Sequence, residues 1–307
     1  MQVAIVGGTG FVGGYLVDAL LARGHKPALL VRSGSEPRVG RAEECRIVSG
    51  SLGDDDALAA LMQGSDAVIY NVGILRESRS EGVTFENMQF EGAASAVRAA
   101  KTAGVERVLM MSANGVKPGG TPYQDTKYRA EQAALESGLN TTVFRPSVIF
   151  GNPSGKMEIA TQLYQDMVRP PIPAIDFFSA LGSHRGPVRM SPVHVVDVAD
   201  AFVAALDNEE TFGQTYELGG PDVLTWGDMI RTVAAATGRS KLLLPMPIEL
   251  MKLAATLLDW LPLFPVTRDQ LTMLAEGNTA DPAIIAELIG RPPQAYTADV
   301  LDYLVQG

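Results

Sequence analysis

Val3-Ala4-Ile5-Val6-Gly7-Gly8-Thr9-Gly10-Phe11-Val12-Gly13 is the stretch that decides the fold. Four apolar residues make a short buried strand. Gly7, Gly10 and Gly13 then fall three apart, and an apolar helix follows through Tyr15, Leu16, Ala19, Leu20 and Leu21. Strand, glycine turn and helix in that order make the phosphate-facing corner of a dinucleotide site. Gly7 lets the chain turn sharply, and Gly10 lets backbone N–H groups approach a pyrophosphate. Gly13 lets helix and strand pack closely. The helix N-terminus adds the positive end of its dipole. A glycine triplet alone is weak evidence; here it follows a strand and opens a helix. A purely structural turn is the alternative reading.

The rest of the 307 residues continues that pattern. Strands are expected at 2–6, 27–31, 46–49, 67–70, 107–111 and 142–145, alternating with helices at 11–23, 54–63, 84–103 and 123–137. Alternation of this kind predicts an α/β fold with a doubly wound parallel sheet. Residues 33–44 read as a polar loop. After Gly151 the regularity breaks, and the Pro, Gly and Met content of 152–190 predicts a loop-rich lobe. Residues 191–210 return to the main domain, so residues 1–151 with 191–210 make one domain. Residues 152–190 and 211–307 make a smaller substrate or partner lobe. Thr225 and Asp228 mark a helix start. Residues 242–265 are apolar but broken by Pro245, Pro247, Pro262, Pro265 and the charges Glu249, Lys252 and Asp259, which excludes a membrane span. Leu250, Leu253, Ala254, Leu257, Leu258 and Leu261 fall at helical spacing. Helix 248–261 is either core of the small lobe or a surface for a membrane, a hydrophobic substrate or a partner.

Composition narrows the function. A net charge of −10 excludes nucleic acid as a main partner. Three His and the single Cys45, without ligand spacing, argue against a metal site and against an internal disulfide. Entry into a core strand at residue 2 predicts no signal or transit peptide and a cytoplasmic location.

The second strand ends Val31-Arg32-Ser33, where a chain selective for NAD usually carries an acid. Arg32 would pair with a 2′-phosphate through its planar fork, and Ser33 can add a hydroxyl. Arg38 is a second candidate. NADP(H) is therefore expected over NAD(H), unless Arg32 only stacks on adenine or faces solvent.

Tyr123 and Lys127 stand at i and i+4, on one face of a helix that Thr121 caps and Pro122 opens. A phenol near pKa ~10 is a poor acid or base at neutral pH. A neighbouring ammonium favours its phenolate. Tyr123 is then the expected acid/base and Ser112, after the fifth strand, the expected anchor for a substrate oxygen. The alternative is that Lys127 holds ribose hydroxyls while Tyr123 packs.

These residues carry a family likeness. The glycine turn, Asn71-Val72-Gly73, Ser112, Tyr123/Lys127, Arg145-Pro146-Ser147-Val148-Ile149-Phe150-Gly151 and Pro192–Ala199 resemble the extended short-chain dehydrogenase/reductases. Val72–Leu75, Met111–Gly115 and Tyr216–Pro221 look most like the branch that includes the nucleotide-binding accessory subunit of mitochondrial complex I. The resemblance implies a Rossmann-like sheet with a smaller C-terminal substrate lobe. It also implies roles. Gly7, Thr9, Gly10, Phe11 and Val12 would line the pyrophosphate, with Gly13 behind them. Ser51 and Leu52 would sit by the adenine, and Val72 and Gly73 by the adenosine ribose. Pro146 to Ile149, Val148 among them, would contact the carboxamide. Relatives dimerise through helices matching 84–103 and 123–137, so monomer and homodimer both stand.

Three departures weaken the sugar-nucleotide reading. Only ten residues separate Ser112 from Tyr123, Gln89 stands where sugar enzymes carry Asn, and Ser51 replaces an Asp. The lobe 152–190 offers only Lys156, Arg169, His184, Arg185 and Arg189 to a diphosphate. Two functions follow: an oxidoreductase or epimerase acting on a small carbonyl or nucleotide sugar, or a non-catalytic NADPH-binding protein docking on a membrane redox complex.

Overall fold

The computed structural model describes residues 1–180, 185–258 and 267–305. They form two compact units: Met1–Pro146 with Val195–Glu217 and Glu287–Gly290, and Ser147–His194 with Leu218–Ala286 and Arg291–Gly307.

The first unit is built on a seven-stranded sheet. Its strands are β1 (Gln2–Val6), β2 (Lys26–Val31), β3 (Arg46–Ser49), β4 (Ala67–Tyr70), β5 (Arg107–Met111) and β6 (Asn140–Pro146). With Thr215–Leu218 at one edge, the order runs Thr215–Leu218, β6, β5, β4, β1, β2, β3. Every pairing from β6 to β3 is parallel, with Val6 level with Leu30 on one side and Tyr70 on the other. The chain winds outward both ways from β1, so the carboxyl ends of β1 and β4 form the switch point where open α/β sheets bind ligands. Central strands read as continuous apolar runs because helices cover both faces. Val3 to Ile5, Val68, Ile69, Val108 and Leu109 are at most 1% exposed.

Helices α1 (Phe11–Ala22), α2 (Asp55–Met62), α3 (Gly92–Ala103) and α4 (Pro122–Leu135) connect these strands. Leu58 and Leu61 of α2, Ala96 and Ala100 of α3 and Ala130 and Ala134 of α4 share one core with β1, β4 and β5. On the opposite face α1 packs with helix Val195–Ala205. Phe144 of β6 meets Phe202 of that helix at 4.5 Å between ring centroids. The caps follow the sequence. Asp54 accepts from Ala57 N, and Thr121 and Gln124 form a reciprocal capping box at α4.

Arg107 crosses the end of this sheet. It is 4% exposed and has a cation's usual partners in an unusual form. It donates to the carbonyls of Asn140 (2.7 Å), Ala205 (2.6 Å) and Leu206 (3.3 Å) and to the hydroxyls of Thr142 and Thr211 (both 2.8 Å). The Phe212 ring lies 4.6 Å below its guanidinium. The Ala205 and Leu206 carbonyls lie at the C-terminus of helix Val195–Ala205, the negative end of its dipole. Burial lowers the guanidinium pKa to about 10.

One helix departs from expectation. The stretch 84–103 is not uniform: Glu86–Glu91 forms a π turn that leads into α3. Gln89, 1% exposed within that turn, donates to Ile74 O at 3.2 Å and accepts from Thr126 Oγ1 at 2.8 Å. Tertiary ties of this kind stabilise a turn that local sequence would not choose.

The second unit has its own core of Phe150, Leu163, Phe177, Trp226, Ile230, Ile248, Leu271 and Leu301. Two regions there are more regular than composition suggests. Residues 152–190 contain the helix Ile159–Leu163 and the strand Ala174–Ser179. The apolar segment after residue 242 opens as a strand, Leu243–Pro247, paired in parallel with Ala174–Ser179. Helix Ile248–Leu258 follows. Ile248 and Ala255 are buried, whereas Leu250 and Leu253 are 56% and 58% exposed. The helix therefore has both a core stripe and an open one. Its expected end at Leu261, and His184, lie outside the described residues. Among the described residues no helix is long and apolar enough to cross a membrane.

Candidate active site

The carboxyl end of β1 is shaped by close approach. Gly7 has φ +98°, and a Cβ there would lie 2.4 Å from Asn71 O, at the exit of β4. A Cβ on Gly13 would lie 2.3 Å from Gly7 O and 2.6 Å from Gly8 O. Both positions exclude any side chain. Gly10 differs, because its Cβ would meet only Gly7 O, at 3.4 Å. The protein's own packing leaves space there, and that space is what a phosphate needs against the backbone. Gly10 is also the N-cap of α1, with no side-chain cap and no acid in the first turn. The helix end is thus open to an anion. Thr9, Phe11 and Val12 are half-buried around it, with Phe11 edge-on to Tyr15 at 5.9 Å.

Arg32 and Ser33 are exposed just beyond β2. Ser51 is exposed after β3, and Leu52 packs against the core below it. Val72 and Gly73 leave β4, and a Cβ on Gly73 would lie 3.6 Å from Lys127 Nζ. The chain's donors and spaces in this unit fit a pyridine dinucleotide: an open helix N-terminus, glycine at the approach points, and a buried cation level with the end of β4.

Lys127 is the centre of the reactive end. It is 5% exposed and donates to Met111 O at 3.2 Å and Val72 O at 3.4 Å. Those carbonyls end β5 and follow β4, so the ammonium bridges two neighbouring strands. Its Nζ lies 5.9 Å from the centre of the Tyr123 ring. Burial lowers the lysine pKa to about 8, opposed by Glu131 one turn further along α4. Ser112 follows Met111 directly. Its N–H is bound to Phe144 O at 2.7 Å, and its Oγ, buried, has no hydrogen-bond partner among the described residues. A buried hydroxyl without a partner is costly unless a ligand completes it.

The Tyr123 phenol is half-buried, and burial pushes its pKa up to about 12, which favours the protonated form. The ring packs edge-on against Phe85, with centroids 5.7 Å apart.

Lys127, Tyr123, Val72, Gly73 and the Met111–Ser112 corner are thus brought together. Pro146 closes β6, its carbonyl accepting from Asn114 N at 2.9 Å. Val148 packs against the core of the second unit. Sequence reading passed over Phe85, Thr126 and the Glu131–Arg145 pair. Glu131 was findable, since Tyr123, Lys127 and Glu131 follow one another every four residues; Phe85 had no local signal.

The sequence profile of the NAD(P)H-binding family matches residues 7–176, more than half of the chain. Ceramide reductase of Caulobacter vibrioides (strain NA1000 / CB15N) is 30% identical over 265 residues, 84% of this chain and 77% of that protein. The mitochondrial NADH dehydrogenase (ubiquinone) 1 alpha subcomplex subunit 9 of Arabidopsis thaliana is 31% identical over 238 residues, 72% of this chain and 54% of that one. The chain thus spans about half the length of the plant subunit. In fold it is similar to an NAD-bound UDP-glucose-4-epimerase from Stenotrophomonas maltophila, with a TM-score of 0.75, 21% identity, and 99% and 97% of the two chains covered. The chain belongs to the NAD(P)H-binding family and is an extended short-chain dehydrogenase/reductase.

Proposed function

We propose that this chain is an NADP(H)-dependent oxidoreductase that reduces the carbonyl of a small molecule, with Tyr123 as the proton donor. The observation that carries this is the meeting of Tyr123, Lys127 and the unpartnered Ser112 Oγ at the ends of β4 and β5. When bound, the reduced nicotinamide supplies a hydride. The substrate's carbonyl carbon takes that hydride, and its oxygen takes the Tyr123 proton, leaving an alcohol and a phenolate that recovers a proton from water. A phenol that keeps its proton to about 12 suits donation at neutral pH better than abstraction. Ser112 Oγ orients the oxygen. Lys127 has three N–H groups and gives two to backbone carbonyls, which leaves one for a ribose hydroxyl. Arg32 and Ser33, with no acid beside them, favour the 2′-phosphate. The name of the Caulobacter relative, a reductase, agrees with this direction.

A second reading is a non-catalytic NADPH-binding protein that docks on a partner. The likeness to the plant subunit and the exposed Leu250 and Leu253 favour it. One experiment separates the two. Oxidation of NADPH is followed with a panel of ketones, aldehydes and UDP-sugars, in wild type and Tyr123→Phe. Turnover that falls by about 10²-fold or more in the variant supports the reductase. No turnover in either protein, with cofactor tightly held, supports docking.

A further inference from the structure

We propose that segments 168–173 and 239–245 of the second unit form a tip that settles on the surface of an anionic lipid bilayer. This goes beyond both readings above and depends on neither.

Ile172 and Leu242 are each 66% exposed, more than any other large apolar side chain among the described residues. They come from separate segments, and strand pairing brings them together. Ala174–Ser179 and Leu243–Pro247 run parallel with Leu243 level with Ala174, so Ile172 and Leu242 stand just before the starts of two paired strands. Ala174 N donates to Leu242 O at 2.9 Å. Lys241 turns its ammonium inward, to Val168 O at 3.1 Å and to Pro170 O, and so staples one segment to the other. Leu244, 48% exposed, and the exposed Pro171, Pro173 and Pro245 extend the apolar surface.

Charge decides what this surface suits. The two segments carry Arg169, Arg239 and Lys241 and no acid, in a chain whose net charge is −10. Both arginines are exposed. Three acids lie just outside the segments. Asp176 accepts from the backbone of Gly227, and Glu249 accepts from Ser179 Oγ at 2.9 Å and Ala180 N at 3.1 Å. Asp166 is the exposed one, three residues before Arg169. Apolar side chains rimmed by cations match a bilayer surface, where anionic headgroups attract arginine and the acyl boundary takes the apolar groups. Pro170, Pro171, Pro173 and Pro245 suit that boundary, because they bring no N–H to leave unpaired there. The same headgroups repel the acidic remainder of the chain, which turns this end toward the lipid.

The test is sedimentation of the whole chain with vesicles of phosphatidylcholine alone, and of phosphatidylcholine with about one third phosphatidylserine. Wild type should partition at least about tenfold more strongly onto the anionic vesicles, and about 0.5 M salt should remove most of that difference. The double variant Arg169→Glu/Arg239→Glu should lose about tenfold or more of the anionic binding. Ile172→Ser/Leu242→Ser should lose a similar amount and keep the salt dependence. All four positions are exposed, so thermal melts of both variants should match wild type. No binding of wild type, equal binding to both kinds of vesicle, or binding unchanged in either double variant overturns the proposal. Wild type that self-associates without lipid, and is dispersed by Ile172→Ser/Leu242→Ser, makes the tip a contact between copies and overturns it too. NADPH oxidation enters none of these measurements, so their failure and that of the reductase reading are distinguishable.

Discussion

Glu131 turns both carboxylate oxygens to Arg145. Nε donates to Oε1 at 2.9 Å and Nη2 to Oε2 at 2.6 Å, on an acid that is 1% exposed. The pair ties α4 to β6 one helical turn from Lys127. Breaking a buried pair on one side costs about 3–5 kcal/mol, because the remaining charge is stranded. Arg145→Met should therefore lower stability by about that amount in urea denaturation. The double variant Arg145→Met/Glu131→Gln should recover much of the loss. A single variant that loses less than about 1 kcal/mol would mean that the pair behaves like a surface contact.

Lys127 gives a pH dependence of definite sign. Its folded pKa of about 8 lies below the ordinary 10.5. Between those values the unfolded chain binds the extra proton, so stability rises with pH across that window. Below about 8 the burial penalty is fully present. Thermal melts of wild type against Lys127→Met across this range should show the rise in wild type only. Reduction should also slow above about pH 8, as the ammonium is lost.

The glycine turn offers a contrast between neighbours. Gly13→Ala places a methyl 2.3 Å from a backbone oxygen, and overpacking of that kind costs roughly 1–3 kcal/mol or more. Gly10→Ala meets nothing closer than 3.4 Å, so it should cost no more than about 1 kcal/mol as an altered N-cap. Its cost should fall on the cofactor. Fluorescence titration with NADPH is expected to show at least about a tenfold loss of affinity for Gly10→Ala. An affinity equal to wild type would mean that the space over Gly10 is not used.

Arg32→Asp replaces the cation at the end of β2 with the acid found in NAD-selective chains. NADPH affinity should fall about tenfold or more, and NADH affinity should change little or improve. Direct titration of both nucleotides decides it. An equal loss for both would remove the assignment of Arg32 to the 2′-phosphate.

The sheet was legible because its signals are local. Buried strands such as Val3–Val6 and Ala67–Tyr70 are apolar throughout, and Asp54, Thr121 and Thr225 mark helix starts with their own side chains. What escaped depended on distant partners. The π turn at 86–91 is held by Gln89 reaching Ile74 and Thr126. Strand Leu243–Pro247 carries two prolines, and its pairing with Ala174–Ser179 cannot be read from either segment. As the outer member of its sheet it tolerates residues that lack an N–H. At the site, the Tyr123–Lys127 spacing was visible, whereas the protonation of the phenol was not. That depends on how much of the ring is covered, which the helix pattern does not report. Phe85 reaches Tyr123 from 38 positions away through a loop whose course only the tertiary ties define.

The Arg107 network has a consequence for biosynthesis. Its acceptors at Ala205, Leu206 and Thr211 lie 98 to 104 positions downstream. A nascent chain that has left the ribosome only as far as β6 holds a guanidinium at the base of its sheet with most of its acceptors not yet translated. Completion of this unit must wait until the polypeptide has emerged past residue 211. A stop codon placed between β6 and that point should yield a product that proteases clear, even though every glycine and strand of the nucleotide corner is already present in it.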